Sequence, residues 1–330
     1  YRFVYAVGVS LVGGMIGVTA ADYPAETSRG KLSGATGLLN GLGVALAAGL
    51  MLPQLPAVFQ AQGATSAEAG RYMLLVMAGL AIGTAVIMQF GLKGGTPTGR
   101  PQKVGLQQAL RVGLSQGLAN PRLMVCYAGS FVARADLTLI AVFVSLWLNQ
   151  AGRNKGLDAS DAFKQAGLMI VIIQMSSLLW APVAGFLIDR FHRLLCVCAA
   201  LMVAGVGYTV LGFQEDPFTP IGYVGAVVVG IGQMSVILTV TGLLGQETPI
   251  NIRGSVISFA GLCGAVGILV TSFLGGYLFD HWMISGPVVF TGIANLGVLA
   301  FALRVWLKDG APRRYDPTEA RSSQTLEFGN

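Results

Sequence analysis

Charge is what this sequence has least of. Asp, Glu, Lys and Arg make up 11% of its 330 residues, against about 25% in an ordinary soluble domain. Histidine is nearly absent, with 2 residues, and cysteine is limited to 4. No Ser-His-Asp grouping, phosphate loop, zinc spacing or HExxH motif occurs, so the chain is not expected to be an enzyme. Cys126, Cys196, Cys198 and Cys263 all fall in apolar stretches. Cys196 and Cys198 are two apart and would point to different sides of a helix, so no metal or redox role is expected of them. His192 and His281 are expected in loops, with neither a catalytic nor a ligand role. Nowhere do apolar residues alternate with period 2, which excludes the strands of a membrane barrel.

What remains is apolar. Hydrophobic residues reach 54%, glycine contributes 46 positions, and mean hydropathy is +0.67. A helix crosses a hydrocarbon core of roughly 30 Å in about 20 residues. Nine runs meet that length: about 3–21, 32–51, 72–92, 123–148, 166–188, 194–211, 221–244, 256–278 and 287–307. Only helices or closed barrels satisfy every backbone group in lipid, so an all-α integral membrane protein is predicted. The chain opens "YRFVYAVGVS" inside an apolar run and without Met. That opening implies a missing upstream part rather than a cleaved leader.

Lys and Arg divide unevenly between alternate loops. One set holds fourteen: Arg29, Lys31, Lys93, Arg100, Lys103, Arg111, Arg122, Arg190, Arg193, Arg253, Lys308, Arg313, Arg314 and Arg321. The other holds four: Arg71, Arg153, Lys155 and Lys164. The positive-inside rule places the first set, and with it the C-terminus, in the cytoplasm. The net charge of +6 follows from this bias and calls for no nucleic acid.

Two polar breaks resemble each other. "DYPAETSRGKLSG" (Asp22 to Gly34) and "GQETPINIRGSVIS" (Gly245 to Ser258) both carry Arg-Gly before an apolar run, and Arg253 minus Arg29 gives a spacing of 224. The same offset aligns Gly30 with Gly254, Gly37 with Gly261, Leu38 with Leu262 and Gly43 with Gly267. With six crossings between the aligned pairs, the repeat unit is six helices and the chain holds one and a half units. Arg29 and Arg253 are either topology anchors at a lipid surface or parts of a moving interface. Gly30 and Gly254 are expected to let the chain turn tightly into the helix that follows.

The loop "GFLIDRFHR" (Gly185 to Arg193) has the pattern G-x-x-x-D-R-x-x-R. It resembles the cytoplasmic signature between helices 2 and 3, and 8 and 9, of the major facilitator superfamily. "YRFVYAVGVSLVGG" is similar to that family's fourth helix and "SRGKLSGATGLLNGLG" to its loop into helix 5. The resemblance covers Arg2 to Leu307. It implies an MFS-type helical bundle with inverted three-helix repeats, present from helix 4 to helix 12. Residues 1–92 would then be a partial first bundle and 93–120 a cytoplasmic linker with a short amphipathic helix from Val104 to Leu118. Residues 121–307 would be a six-helix second bundle, and 308–330 a disordered tail. By the same resemblance Gly185, Asp189, Arg190, Arg193, Arg29, Gly30, Arg253 and Gly254 form the conformational motif, with Asp189 near the N-terminal dipole of helix 5. The family's antiporter signature is not met, because Pro53 in "GLGVALAAGLMLPQLP" lacks a preceding Gly. Proton-coupled antiport is therefore not expected.

Candidate site residues are the polar groups inside apolar runs. Arg134 and Asp136 lie deep in one span, and such charges usually face a bundle interior or a water-filled cavity. Residues two apart do not share a helix face, so at least one needs a partner elsewhere: the two mark either a functional centre or an ion pair that fixes packing. Asn40, Gln174 and Gln233 either hydrogen-bond a neighbouring helix or line a path. Arg2 matches an arginine of the family's fourth helix. The expected function is secondary transport of a small solute by alternating access, with the site near the midplane between the halves. The alternative is a non-transporting receptor or interaction protein of the same fold. The expected partners are the solute, a coupling proton or sodium ion, and membrane lipid. No cofactor is expected, and the protein is expected to act as a monomer in a bacterial inner membrane.

Overall fold

The computed structural model describes residues 29–46, 51–91, 105–249 and 252–310, with single positions at 8, 12 and 16. Every regular element among them is helical: α1 (Arg29–Ala45), α2 (Leu52–Ala61), α3 (Ser66–Gly91), α4 (Leu106–Ala119), α5 (Pro121–Thr138), a π-helical segment (Leu139–Val144), α6 (Ser145–Asn154), α7 (Ala159–Arg190), α8 (Arg193–Gly212), α9 (Pro220–Glu247), α10 (Arg253–His281) and α11 (Gly286–Asp309). Among the described residues seven stretches are long and apolar enough to cross a membrane: Ala67–Gly91, Pro121–Asn154, Asp161–Arg190, Arg193–Gly212, Pro220–Glu247, Arg253–His281 and Gly286–Lys308. They match seven of the nine predicted runs. The run at 3–21 lies outside the described residues, and that at 32–51 is described as the 17-residue α1.

Helix starts follow local chemistry. Pro121 and Pro220 open α5 and α9, where a missing N–H goes unmissed. The Asn120 side chain accepts from the Arg122 N–H at 3.0 Å and the Thr219 hydroxyl from the Gly222 N–H at 3.2 Å. Asp158 caps α7 by accepting from the Asp161 N–H at 2.8 Å. Thr65 and Glu68 form a capping box ahead of α3, with the Thr65 N–H donating to Glu68 Oε2 at 2.9 Å. The α11 helix ends on Gly310, whose φ of +67° lies in the left-handed region that glycine adopts freely.

The described chain falls into two compact units, one drawn from Tyr1–Leu38 and Gly105–Asn330, the other from Leu39–Val104. In the smaller, α2 packs on α3, with the Phe59 and Tyr72 rings edge to face at 5.5 Å. In the larger, α8 packs against α9 and α11, α7 against α9, and α5 against α10 and α11. Its core runs through Leu201, Tyr208, Leu211, Val229, Val236 and Leu243, with Tyr208 among the largest fully buried side chains. Close approach depends on small residues: a Cβ at Gly232 would lie 2.5 Å from Ala204 Cα. α4 packs on α5 and α10, where the Tyr127 hydroxyl donates to the Gly113 carbonyl at 2.7 Å.

Three local expectations differ from the structure. His281 is not in a loop but is the last residue of α10, its ring stacked on Tyr277 at 4.4 Å. The turn lies one residue later because Trp282 N–H still bonds the Leu278 carbonyl at 3.0 Å. Gly30 and Gly254 do not turn the chain: each is the second residue of its helix, and neither has a positive φ among the described residues. The break lies ahead of the Arg-Gly pair, as at Thr248 before α10. Finally, the crossing predicted at 123–148 extends from Pro121 to Asn154 and contains the π-helical Leu139–Val144. Apolar periodicity does not signal such a turn.

Candidate functional site

Arg134 and Asp136 diverge from one helix. Asp136 is fully buried, and its carboxylate accepts from Asn295 Nδ2 of α11 at 3.3 Å. Arg134 is exposed and lies across α10, where its Cγ and Cβ cover Gly264. A Cβ on Gly264 would sit 2.5 Å from Arg134 Cγ. No hydrogen bond or ion pair reaches Arg134 among the described residues. The two charges therefore do not neutralise each other, and the partner of Asp136 is a neutral amide rather than a cation.

Around Asp136 the structure gathers polar groups that sequence reading did not single out. Asn295 is fully buried, and its second N–H bonds the Thr291 carbonyl at 3.0 Å. Tyr208 of α8 is fully buried, next to Thr209, whose backbone nitrogen would lie 2.7 Å from a Cβ on Gly292 of α11. Asp136 Oδ2, Asn295 Oδ1 and the Tyr208 hydroxyl are buried without a hydrogen-bond partner among the described residues. Asn295 sits inside the predicted run 287–307, so the criterion that marked Asn40, Gln174 and Gln233 would also have marked it.

A second polar seam joins α7 to α9. Ser177 donates to the Gly230 carbonyl at 2.7 Å and Trp180 Nε1 to Ser235 Oγ at 2.8 Å. Gln174 and Gln233 lie on these same two helices, and the Oε1 atom of each is buried without a partner among the described residues. Asn40 is in α1, but its side chain, like Arg2, lies outside what is described.

The motif residues spread over the helix ends. Gly185 is buried near the end of α7, Asp189 is half-buried one turn later, and Arg190 is exposed. Arg193 opens α8 and donates to the Gly242 carbonyl of α9 at 3.3 Å. Arg253 is buried as the first residue of α10, as Arg29 is the first of α1. At the same helix ends Glu247 accepts from Asn120 Nδ2 at 3.0 Å and pairs with Arg122 at 3.8 Å. Arg122 also donates to the Gly310 carbonyl at 3.3 Å, which joins α5, α9 and α11. At other loops Lys155 pairs with Asp216 at 2.5 Å and stands over the Phe218 ring at 5.5 Å. Burial works to raise the Asp216 pKa, but the Lys155 hydrogen bond, the Phe218 N–H and the Lys155 charge outweigh it, leaving the carboxyl below its ordinary value.

An acid held inside a glycine-packed bundle of long apolar helices marks a multi-pass membrane protein. The Major Facilitator Superfamily profile matches residues 126–328, more than half of the chain, and the chain belongs to that family. The magnetosome protein MamH of Paramagnetospirillum magneticum is 25% identical over 310 residues, 92% of this chain and 67% of MamH. The magnetosome protein MamZ of Magnetospirillum gryphiswaldense is 29% identical over 210 residues, 63% of this chain but 32% of MamZ. The chain thus spans about two thirds of one relative and about a third of the other. A crystal structure of the Escherichia coli fucose:proton symporter FucP superposes with a TM-score of 0.63 at 14% identity, covering 87% of this chain and 71% of FucP. At that identity the likeness shows the fold alone.

Proposed function

We propose that this chain belongs to a secondary transporter that moves a small anionic solute across a bacterial membrane by alternating access. The observation that carries the reading is Arg134. A guanidinium cannot lose its proton in a protein, and a charge within a membrane span is costly unless something answers it. Arg134 faces outward from the six-helix unit with no carboxylate on it among the described residues. A carboxylate or phosphate of a solute supplies that answer, and the planar fork can hold it bidentately. Gln174 and Gln233 offer amide oxygens to donor groups on the solute.

On this reading residues 1–92 are the last three helices of a first bundle, 93–120 the linker, 121–307 the second bundle and 308–330 a cytoplasmic tail. Asp189, Arg190, Arg193, Arg29 and Arg253 bias the conformational equilibrium at the cytoplasmic face. The relatives MamH and MamZ are both magnetosome proteins, which favours a magnetosome membrane over the general inner membrane as the site of residence. Membrane fractionation of the source cells separates the two locations.

The test of function is counterflow of labelled small anions in liposomes holding the full-length protein. Arg134→Gln is expected to reduce uptake more than tenfold at unchanged folding, and Arg134→Lys to restore part of it. Uptake by Arg134→Gln equal to the parent, or a uniform preference for neutral solutes, would refute the anion reading. Absence of counterflow for every solute would favour a receptor role.

A further inference from the structure

We propose that Asp136, Asn295 and Tyr208 form a buried binding site for one sodium ion, inside the six-helix unit and on the opposite face of α5 from Arg134. The inference is separate from the anion reading, since it concerns different residues and a different ligand.

The reasoning starts from charge. An acid enclosed in a membrane bundle must be neutralised there, by a proton or by a cation. Among the described residues Asp136 receives a single amide N–H, at 3.3 Å, from a neutral partner. Its own helix supplies no cation, because Arg134 two residues earlier is turned outward. Among the described residues the groups on this side are Asn295 and Thr291 on α11 and, from the turn of α8 that meets Gly292, Tyr208. All three are uncharged.

Ligand chemistry narrows the cation. The atoms left without partners are a carboxylate oxygen, an amide oxygen and a phenol oxygen, each on a fully buried residue. Hard oxygen donors of this kind suit a hard metal cation. Both Asn295 N–H groups are engaged, one by Asp136 and one by the Thr291 carbonyl, which leaves its oxygen available as a ligand. A single carboxylate balances one positive charge and not two.

Two features of the fold position these groups. α8 and α11 meet at backbone distance: a Cβ on Gly292 would lie 2.7 Å from the Thr209 nitrogen and 3.0 Å from the Gly205 carbonyl oxygen. That crossing brings the turn with Tyr208 to the turn with Asn295. The π-helical Leu139–Val144 begins three residues after Asp136. π-turns inside α-helices occur frequently at functional sites.

The test uses the full chain, purified in detergent with no solute present. Its melting temperature is followed while NaCl replaces choline chloride at constant ionic strength. Sodium is expected to raise the melting temperature saturably, as a ligand of the folded state does. Asp136→Asn should remove the increment. Tyr208→Phe keeps the ring and should raise the half-saturating sodium concentration by between about twofold and tenfold, which keeps the test decisive if Asp136→Asn fails to fold. Superposed sodium and choline curves for the parent would overturn the proposal, as would a full sodium increment in a folded Asp136→Asn protein. Stabilisation that follows pH but not sodium would also overturn it and assign the charge to a proton on Asp136. Because no transport is measured, a negative result leaves the anion reading intact, and failed counterflow leaves the sodium site intact.

Discussion

Gly292→Ala and Gly297→Ala, five residues apart on α11, are expected to change stability in opposite directions. At Gly292 the new methyl would run into the Thr209 hydroxyl, 2.7 Å from the Thr209 nitrogen and 3.0 Å from the Gly205 carbonyl. Two of these obstacles are backbone and cannot rotate away. Ordinary contact begins at 3.4 Å, so α8 and α11 must part by about 0.7 Å, the difference from 2.7 Å. A gap of that size forfeits about a quarter to a half of each dispersion contact along the seam. Leu296 against Gly205 and Val289 against Gly212 are on that seam. Overpacking of this kind typically costs about 1–3 kcal/mol. A Cβ at Gly297 would meet nothing within 4 Å among the described residues, so the methyl there only lowers the freedom of the unfolded chain and favours helix by about 0.5–1 kcal/mol. Thermal unfolding of the two variants beside the parent checks the sign. Equal melting temperatures for both variants would refute the claim that backbone contact, rather than helix propensity, sets the α8–α11 crossing.

Three further outcomes can be measured. Tyr127→Phe removes the hydroxyl that satisfies the Gly113 carbonyl, at about 1 kcal/mol, and hydrogen exchange should rise across α4 before it rises in α5. Trp180→Phe breaks the bond to Ser235, and pairs of this kind in membrane bundles are worth about 0.6 kcal/mol, so a small fall in melting temperature is expected, with no further fall on adding Ser235→Ala. Asp216 has a depressed pKa in the folded protein, so its pairing with Lys155 contributes fully above the unfolded value of about 3.9 and is lost as pH falls through the folded one. Asp216→Asn should then cost about 0.2–1 kcal/mol at neutral pH, as exposed pairs do, and melting curves of variant and parent should converge as the solution is acidified.

Much of the fold was legible because lipid imposes one rule on every span. Length and apolarity sufficed to find the seven crossings described. The direction of individual side chains was less accessible. Residues 134 and 136 could be assigned to different helix faces from helix geometry, but not to different neighbours. The partner of Asp136 lies 159 positions away, and although Asn295 stands out as polar in its run, nothing in the sequence pairs it with residue 136. The aligned glycines show the same limit. Gly37 packs within 3.3 Å of Ala181, Leu238 and Met234, whereas a Cβ at its counterpart Gly261 would meet nothing within 4 Å among the described residues. A repeat in the sequence thus predicted equivalent helix starts and not equivalent surroundings. The π-helical segment left no mark on hydropathy at all.

The hydroxyls of this bundle mostly look after themselves. Thr209, Thr239, Thr241 and Thr291 each donate to a carbonyl four residues earlier in their own helix, so each of those groups enters lipid already satisfied. Asp136 has no such recourse, because its partner belongs to the final crossing of the unit. During synthesis the first crossing of the six emerges with its carboxyl group unanswered and waits through four more before Asn295 is made. The unit therefore cannot settle crossing by crossing in the order of its chain. The step that seats α11 against α5 and α8 closes assembly, and a nascent chain halted before Gly286 presents the cell with a recognisable defect, an unsatisfied acid within the bilayer.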